Sequence, residues 1–275
     1  MIDPGHTTHA AQLTSAPLIT VAVPSFNQAR FLDATLRSIF AQPVPAEVML
    51  ADGGSTDGSQ DVIEQWRGRL TWCRSAPDHG QAASINEAIG RGRAPFVCWL
   101  NSDDLFLPEG LAALLAAIQA DPSAAVVYGG CLLIDEAGRM IGRYRAGPMS
   151  RRSLSRRCVI PQPATLIRRD AWERVSGLRN KLHLSLDYDL WWRLHRGGFR
   201  FSRIDADVAA LRFHENAKSF RYAREMYGEA KAVVREHYGS LPLIWHLREP
   251  FSVAARRPRG VMRHLARTCR AWSWR

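Results

Sequence analysis

The sequence has no long apolar run. Its best candidates, residues 96–100 and 111–118, are far shorter than the roughly 20 residues that a helix needs to cross a bilayer. The segment before residue 17 shows no basic stretch followed by an apolar one, so we expect a flexible arm over residues 1–16 rather than a signal peptide. From the sequence alone, we do not expect a membrane-spanning protein.

Cysteine is scarce and scattered. The chain has 275 residues and five cysteines, with no C-x-x-C pair among Cys73, Cys98, Cys131, Cys158 and Cys269. This excludes a disulfide framework and a structural zinc site, and it predicts a cytoplasmic location, where thiols stay reduced. A chain of this length buries roughly 75% of the surface that its unfolded form exposes, so it can fold without such cross-links.

Acidic residues are outnumbered, and the imbalance is greatest at the end of the chain. The formal net charge is +11, and from Arg248 onward eight arginines face a single acid, Glu249. With its interleaved aromatic residues, this tail could associate peripherally with an anionic membrane or pack on the domain as a solvated basic helix. We expect no nucleic-acid partner, because the core shows neither aromatic platforms nor a known binding module.

The first half of the chain alternates short apolar runs with amphipathic stretches. We predict strands over residues 18–23, 47–51, 70–74 and 96–100, and helices over 29–41, 59–67, 81–90 and 108–120. This alternation predicts an α/β fold with a mostly parallel, Rossmann-like sheet and helices on both faces. The second half is less regular: residues 125–134 and 140–145 predict a small mixed sheet, and 187–196 and 225–238 predict helices.

Polar loops follow the four predicted strands. They read PSFN (24–27), DGGSTD (52–57), PDHG (77–80) and NSDD (101–104). In open α/β sheets, ligands bind where loops leave the carboxyl ends of the strands. The four loops therefore predict one binding site at this edge of the sheet.

Four segments, taken in order, resemble family 2 glycosyltransferases of the GT-A fold. They are VAVPSFNQARFLDATLRSIFAQ, VMLADGGSTDGS, APDHGQAASINEAI and FVCWLNSDDLFLP, and the similarity extends over about residues 18–215. The resemblance implies a GT-A domain over residues 17–220, and the basic segment 221–275 is expected to form a helical appendage. It also implies inverting transfer of a sugar from a nucleotide-diphosphate donor to the hydroxyl of a glycan or lipid-linked acceptor, in polysaccharide or cell-envelope glycan synthesis.

The donor is expected to bind at the first three loops. A carboxylate at Asp52 can accept hydrogen bonds from a base imide or a ribose hydroxyl, and the resemblance implies that this position contacts the nucleoside, which favours uridine or thymidine. The alternative is a helix-entry loop capped by Ser55, Thr56 or Asp57. The other donor-binding residues that the resemblance implies are Pro24, Phe26, Asn27, Gly54, Asp78, Gln81 and Ser102.

The NSDD segment corresponds to the metal motif of the family. A nucleoside-diphosphate leaving group calls for Mn²⁺ or Mg²⁺, which hard oxygen ligands bind. Asn101 stands where the commonest form has aspartate, so we assign the metal chiefly to Asp103, with Asn101 and Asp104 in support. A turn and helix cap before Pro108 is the alternative. The resemblance also implies that His214 reaches the metal or the diphosphate, although a lone histidine can be purely structural.

The catalytic base is expected at the start of the helix 187–196. Similar enzymes show two acids before Tyr-Asp-Leu-Trp, and here Leu186 replaces the first, which leaves Asp187 as the base. For Asp189 the alternative is a helix N-terminal acid that the helix dipole favours. Gln162 resembles a family residue that lines the acceptor side.

The sequence also bears on two alternative functions. A nucleotidyltransferase would need a glycine-rich, basic phosphate loop after the first strand, and PSFNQAR is not such a loop. A non-catalytic family member that binds through its basic tail remains the alternative, because Asn101 and Leu186 depart from the family pattern.

Overall fold

The computed structural model describes residues 16–254. The predictions for residues 1–15 and for the arginine-rich segment after residue 254 lie outside the described residues. In the first half, strands and helices alternate as β1 (Ile19–Ser25), α1 (Ala29–Phe40), β2 (Ala46–Asp52), α2 (Ser59–Trp66), β3 (Trp72–Ser75), α3 (Gln81–Arg91), β4 (Phe96–Trp99), β5 (Leu105–Phe106) and α4 (Gly110–Ala120).

The second half adds longer strands and the remaining helices. They are β6 (Ala124–Ile134), β7 (Met140–Tyr144), α5 (Arg151–Leu154), β8 (Thr165–Arg168), α6 (Arg169–Arg174), α7 (Leu186–Arg196), β9 (Arg200–Arg212), α8 (Lys218–Arg221), α9 (Ala223–Tyr238) and α10 (Ile244–Ala254). A single 3-10 turn, Gln162–Ala164, precedes β8. None of the helices described here combines the length and the apolar character needed to cross a membrane.

One twisted sheet runs through the described structure. Its strand order is β3-β2-β1-β4-β8-β6-β9-β5, with β7 paired to β6. The strands β3, β2, β1 and β4 are all parallel, whereas β8 is antiparallel to both β4 and β6. The α/β prediction is confirmed, with one difference in detail: the strands expected in a separate small sheet extend the central one, because β8 bridges β4 and β6.

Apolar side chains on the two faces of the sheet form two cores. Along β1, Val21 and Val23 belong to one core and Ala22 belongs to the other, as the period of two in a strand requires. Residues of α1, α2 and α4 cover the first face, and residues of α3, α6 and α7 cover the second. Helices therefore lie on both faces, which leaves the strand ends as the open edge for a site.

The second core also includes the first part of the segment that was predicted as an appendage. Tyr227, Val233 and Val234 of α9 are buried there, together with Trp245 of α10. The indole N–H of Trp245 donates to the carbonyl of Ser155 at 2.7 Å, and the Tyr227 hydroxyl donates to the carbonyl of Trp245 at 2.6 Å. Helix α9 also packs against α7, where Nε2 of His237 lies 2.8 Å from Oδ1 of Asp189, and this packing has consequences for the site.

Candidate functional site

The first two predicted loops meet at the carboxyl edge of the parallel strands. Ser25 and Asp52 are paired at the ends of β1 and β2, and Asp52 and Ser75 are paired at the ends of β2 and β3. Asn101 follows two residues after the end of β4, which is parallel to β1. Parallel strands bring their carboxyl ends to the same edge, so the loops converge as the sequence predicts.

The Asp52 carboxylate stabilises the second loop from inside. It is fully buried, and it accepts hydrogen bonds from the Ser55 N–H at 2.9 Å, the Ser55 hydroxyl at 2.5 Å, the Gly54 N–H at 3.1 Å and the Ser75 hydroxyl at 2.7 Å. Gly54 has φ = +84°, a left-handed conformation that glycine adopts without strain. Oδ2 of Asp52 accepts three of these bonds and Oδ1 accepts one, so both oxygens shape the loop, and the contact of Asp52 with a nucleoside stays a prediction.

Asn27 and Asp57 join the first loop to the second. The side-chain oxygen of Asn27 accepts from the Thr56 N–H at 2.9 Å, and the backbone N–H of Asn27 donates to the Ser55 hydroxyl at 2.7 Å. Asp57 accepts from the Ala29 N–H at 3.0 Å, at the start of α1. The N-cap of α2 is Gly58, so none of the three residues that the alternative interpretation offered caps that helix; Asp57 instead accepts from the Ser59 N–H at 3.1 Å and joins this turn to the start of α1.

An exposed aromatic ring and an exposed acid lie beside Gly53 of this loop. Phe26 exposes 61% of its surface, whereas Pro24, two residues earlier on β1, is buried. A Cβ added at Gly53 would lie 3.2 Å from the Phe26 ring and 3.1 Å from Oδ2 of Asp78, so a side chain here would be crowded by both. An exposed aromatic face, a carboxylate and bare backbone converge here, which is an arrangement that suits a planar nucleobase.

The third loop is held by its own acid. Oδ1 of Asp78 accepts from the Gly80 N–H at 2.8 Å, and Oδ2 accepts from the Ser84 hydroxyl. Asp78 itself remains exposed. Of the two acids predicted to face the donor, Asp78 is therefore the one that is accessible from solvent.

Asp103 and His214 come together at the predicted metal motif. Nε2 of His214 lies 2.9 Å from Oδ2 of Asp103, although 111 residues separate them in sequence. The imidazole is buried and packs against Phe31, with ring centroids 4.8 Å apart. An imidazole nitrogen and a carboxylate oxygen at this separation can both ligate Mn²⁺ or Mg²⁺, and Asp103 keeps partial exposure toward solvent.

The donor set is small for a divalent cation. In the part of the chain that the structure describes, no group of three or more His, Cys, Asp and Glu side chains could hold a metal ion. Mg²⁺ and Mn²⁺ sites of phosphate-transfer enzymes commonly complete their shells with water and substrate oxygens. The pair Asp103–His214 fits a cation that is held jointly with a diphosphate.

Asp104 is a buried structural partner. Its carboxylate accepts from the Arg212 backbone N–H at 2.9 Å and from the Asn101 amide at 3.1 Å. Burial, together with the neighbouring charge of Asp103, raises the pKa of Asp104 well above its usual value. The Arg212 side chain donates to the Asp103 carbonyl at 2.9 Å, so the motif is clamped to the end of β9.

Amide side chains connect the metal motif to the rest of the edge. Oδ1 of Asn101 accepts from the Gln81 amide at 2.8 Å, and its amide also lies 3.3 Å from Oε1 of Gln162. The Gln162 amide donates to the Trp99 carbonyl at 2.7 Å. Ser102 is buried within the motif. Asn101 is therefore fully engaged with Gln81, Asp104 and Gln162, which is a role that its amide can fill and a carboxylate could not.

Lys218 is a cation that the sequence interpretation missed. Its ammonium donates to Oε1 of Gln81 at 2.8 Å, and the charges of Asp78, Asp103 and Glu229 act on it. Desolvation lowers its pKa from the ordinary value. Lys218 lies four residues after His214 and begins α8, and this short spacing in sequence is the signal that could have identified it.

Asp187 begins α7, as predicted. Desolvation raises its pKa to about 6, an effect that the negative charge of Glu229 reinforces, while backbone N–H groups at the helix N-terminus partly oppose it. A carboxylate with this pKa is mostly ionised at neutral pH and is a stronger base than an ordinary aspartate. The segment before it approaches the third loop: Nδ1 of His183 lies 4.0 Å from the position of a Cβ at Gly80.

The Asp189 side chain is buried in the interior of the protein. It is fully buried and accepts from Arg193 at 2.7 Å, from His237 at 2.8 Å and lies 3.3 Å from Arg179. Burial alone would raise its pKa, but hydrogen bonds from His237 and Arg193 hold the pKa below its ordinary value. Asp189 therefore acts as a structural anion between α7 and α9.

The comparisons with known proteins agree with this geometry. The family model described as glycosyl transferase family 2 matches residues 20–172, more than half of the chain. The chain belongs to glycosyl transferase family 2. The match covers the donor loops and the NSDD motif, whereas Asp187, His214 and Lys218 lie beyond it.

Solved structures show the same fold. The mannosyltransferase PcManGT from Pyrobaculum calidifontis, in complex with GDP-Man and Mn²⁺, aligns with a TM-score of 0.64 at 19% identity, over 95% of this chain and 77% of that one. S. aureus TarS 1-349, in complex with UDP-GlcNAc, aligns with a TM-score of 0.62 at 19% identity, over 86% of this chain and 72% of that one. The predicted GT-A fold is confirmed.

Relatives of family 2 differ greatly in length. The succinoglycan biosynthesis protein ExoU of Rhizobium meliloti is 28% identical over 254 residues, which is 80% of this chain and 74% of that protein. In contrast, the chain spans only 20% of the hyaluronan synthase and 19% of the chondroitin synthase of Pasteurella multocida that it also matches, at 25% and 26% identity. The shared part is therefore one family 2 unit, which in those proteins belongs to a larger whole.

Proposed function

We propose that the chain is an inverting glycosyltransferase that moves a sugar from a nucleotide-diphosphate donor to an acceptor hydroxyl, in the synthesis of a polysaccharide or cell-envelope glycan. The observation that carries this proposal is the contact of Asp103 with His214, at the same carboxyl edge of the sheet as the exposed ring of Phe26. Membership of family 2 supports the reaction class. The name of ExoU, a succinoglycan biosynthesis protein, supports a glycan as the product.

The donor is proposed to bind across the first four loops. Its base would stack on the exposed ring of Phe26 beside Asp78, and its diphosphate would lie between the Asp103–His214 pair and the Lys218 ammonium. The two solved relatives carry UDP-GlcNAc and GDP-Man, so a nucleoside diphosphate fits this fold while its base differs between members. We propose a uridine or thymidine donor as the first to be tested.

Asp103 and His214 would hold a divalent cation, Mn²⁺ or Mg²⁺. Such an ion supplies charge neutralisation for the departing nucleoside diphosphate. The Mn²⁺ in the complex of PcManGT supports this assignment. Within the chain, Arg212 and Asp104 fix the motif, and Asn101 ties it to Gln81 on the donor side.

Asp187 would take the proton of the acceptor hydroxyl as the acceptor oxygen attacks the anomeric carbon. The bond from that carbon to the diphosphate oxygen breaks at the same time, and the anomeric configuration inverts without a covalent enzyme intermediate. A raised pKa suits this role, because the base must hold the proton that it receives at neutral pH.

Peripheral association with an anionic membrane is proposed for the C-terminal side. Leu243 and Leu247 expose 70% and 60% of their surfaces, and Arg248 is exposed beside them. Exposed apolar side chains flanked by arginine are typical of helices that lie on anionic lipid surfaces. The arginine-rich segment outside the described residues would add charge to the same end of the chain.

Calorimetric titration tests the proposed donor site. UDP, dTDP, GDP and ADP are titrated with and without Mn²⁺ into the wild type and into Asp103→Ala. We expect one diphosphate to bind in a metal-dependent way and the variant to lose that dependence. If no diphosphate binds in a metal-dependent way, the proposal is wrong and the non-catalytic alternative, in which the basic tail binds a partner, takes its place.

A further inference from the structure

The segment before the proposed base is held by a single carboxylate from another helix. The backbone N–H groups of His183, Leu184 and Ser185 donate to Glu229 at 2.9, 2.8 and 2.5 Å. Oε2 accepts two of these bonds and Oε1 accepts the third. Hydrogen bonds to an ionised acceptor are shorter and stronger than those between neutral groups, so this contact fixes three consecutive residues of the loop.

The loop that Glu229 holds leads directly into the base. Ser185 is the residue before the first turn of α7, and Asp187 is the second residue of that helix. Asp187, whose carboxylate would remove the acceptor proton, therefore lies only two positions after the last residue whose N–H Glu229 binds. Any shift of the loop changes where the Asp187 carboxylate lies.

Packing of α9 against α7 does not depend on this contact. Tyr227, Val233 and Val234 of α9 are buried in the same core as α7, and His237 bonds to Asp189 at 2.8 Å. Glu229 itself is only half-buried. Its carboxylate accepts from the backbone N–H groups of residues 183–185, so its distinct contribution is the position of that segment.

Glu229 also acts on Asp187 through its charge. Repulsion from Glu229 adds to the desolvation that raises the pKa of Asp187. Asp187 also acts on Cys158 and Tyr188, and burial raises the pKa of both, so they are neutral at pH 7. Glu229 is therefore the acid whose negative charge helps to raise the pKa of Asp187.

We infer that Glu229 is a positioning residue for the transfer reaction: it clamps residues 183–185 and thereby holds Asp187 where the acceptor hydroxyl must lie. This inference rests on the proposed function, since it assigns a role relative to the proposed base. It places part of the acceptor half of the site on α9, outside the residues that the family model matches.

The test compares Glu229→Gln and Glu229→Ala with Glu225→Gln, which removes an exposed acid one helical turn earlier on α9. Once the donor is known, release of nucleoside diphosphate is followed from pH 5 to 9, nucleotide affinity is measured by calorimetry, and hydrogen exchange is measured at the amides of 183–187. In Glu229→Ala we expect kcat to fall about 10- to 100-fold, because small misplacements of catalytic groups cost this much, while nucleotide affinity stays within about twofold.

Glu229→Gln gives the readout that a purely structural role would not change. Without the negative charge, the acidic limb of its kcat profile should move to lower pH, and exchange at 183–185 should accelerate, whereas Glu225→Gln should match the wild type. Three outcomes would each overturn the inference. They are a wild-type kcat in both Glu229 variants, an acidic limb of the Glu229→Gln profile at its wild-type pH, and a joint loss of turnover and nucleotide affinity. A wild-type protein that neither transfers nor hydrolyses any donor, yet protects 183–185 from exchange, would instead refute the proposed function.

Discussion

Replacing Asp187 by Asn removes the proposed base while preserving the shape of the side chain. A pKa of about 6 leaves about nine-tenths of the wild-type carboxyl ionised at pH 7, so nearly the whole population of the enzyme is competent to accept a proton. General-base catalysis contributes about 10²- to 10⁴-fold. We therefore expect kcat in Asp187→Asn to fall at least about 100-fold, with the affinity for the nucleoside diphosphate unchanged.

The pH dependence gives a second, independent expectation for the same residue. The base must be deprotonated, so wild-type kcat should fall about tenfold per pH unit below about 6. An ordinary aspartate would shift that limb to near pH 4. The assay is initial-rate release of nucleoside diphosphate from the donor, with saturating acceptor, between pH 4.5 and 8.

Stability supplies the control for this substitution. Because the folded pKa of Asp187 is raised, the folded protein binds a proton more tightly than the unfolded chain, so this carboxyl lowers stability as pH rises from about 4 through about 6. Asp187→Asn removes that cost and should unfold at the same temperature as the wild type at pH 7, or higher. Turnover of Asp187→Asn within a few-fold of the wild type would refute the assignment, and a lowered Tm would refute the electrostatic reasoning.

The other predictions concern the buried anion, the cation beside the diphosphate and the exposed leucines. Asp189→Asn should destabilise the fold by about 3–5 kcal/mol in chemical denaturation, because Arg193 and His237 lose a buried partner. Since the pKa of Asp189 is lowered in the fold, its contribution to the free energy of unfolding is present above about pH 4 and is lost as pH falls through the folded pKa. Equal stability of the variant and the wild type at pH 7 would contradict this prediction. Lys218→Met should weaken binding of the nucleoside diphosphate about tenfold and leave binding of the nucleoside unchanged, with Lys231→Met, which removes an ion pair to Glu249, as the control; an equal loss for both ligands would count against a phosphate contact. Leu243→Asp with Leu247→Asp should abolish co-sedimentation with vesicles that contain phosphatidylglycerol, without lowering Tm; retained binding would exclude this face.

The order of the elements could be predicted from the sequence because strands and helices in the first half have distinct periods. The predicted helix over 81–90 is found as Gln81–Arg91, and the strand over 96–100 as Phe96–Trp99. The single sheet could not be predicted, because it depends on β8, a strand of four residues that pairs antiparallel with both β4 and β6. Such pairings join residues far apart in sequence and leave no local pattern.

The site shows the same division between local and distant signals. The predictions for Asp103 and Asp187 depend on the resemblance to family 2 glycosyltransferases and on carboxylates at a strand end and a helix start, which are visible in one short window of sequence. The sequence could not tell that Asp52 turns inward whereas Asp78 stays exposed, because that difference depends on Ser75, which lies on a neighbouring strand. The contribution of Glu229 was equally invisible, since a lone glutamate on an amphipathic helix usually lies on its solvated face.

The amide at position 101 can be understood from its partners. Asn101 accepts from Gln81 and donates toward Asp104 and Gln162, so it needs both a donor and an acceptor. A carboxylate there would face Asp104 with like charge and would leave Gln162 without its donor. The departure from the commoner family pattern is therefore part of a hydrogen-bonded network, and in the proposed site Asp103 and His214 would hold the metal. Asn101→Asp should accordingly weaken nucleotide binding rather than improve metal affinity, and tighter Mn²⁺ binding in that variant would show that the amide is a defect.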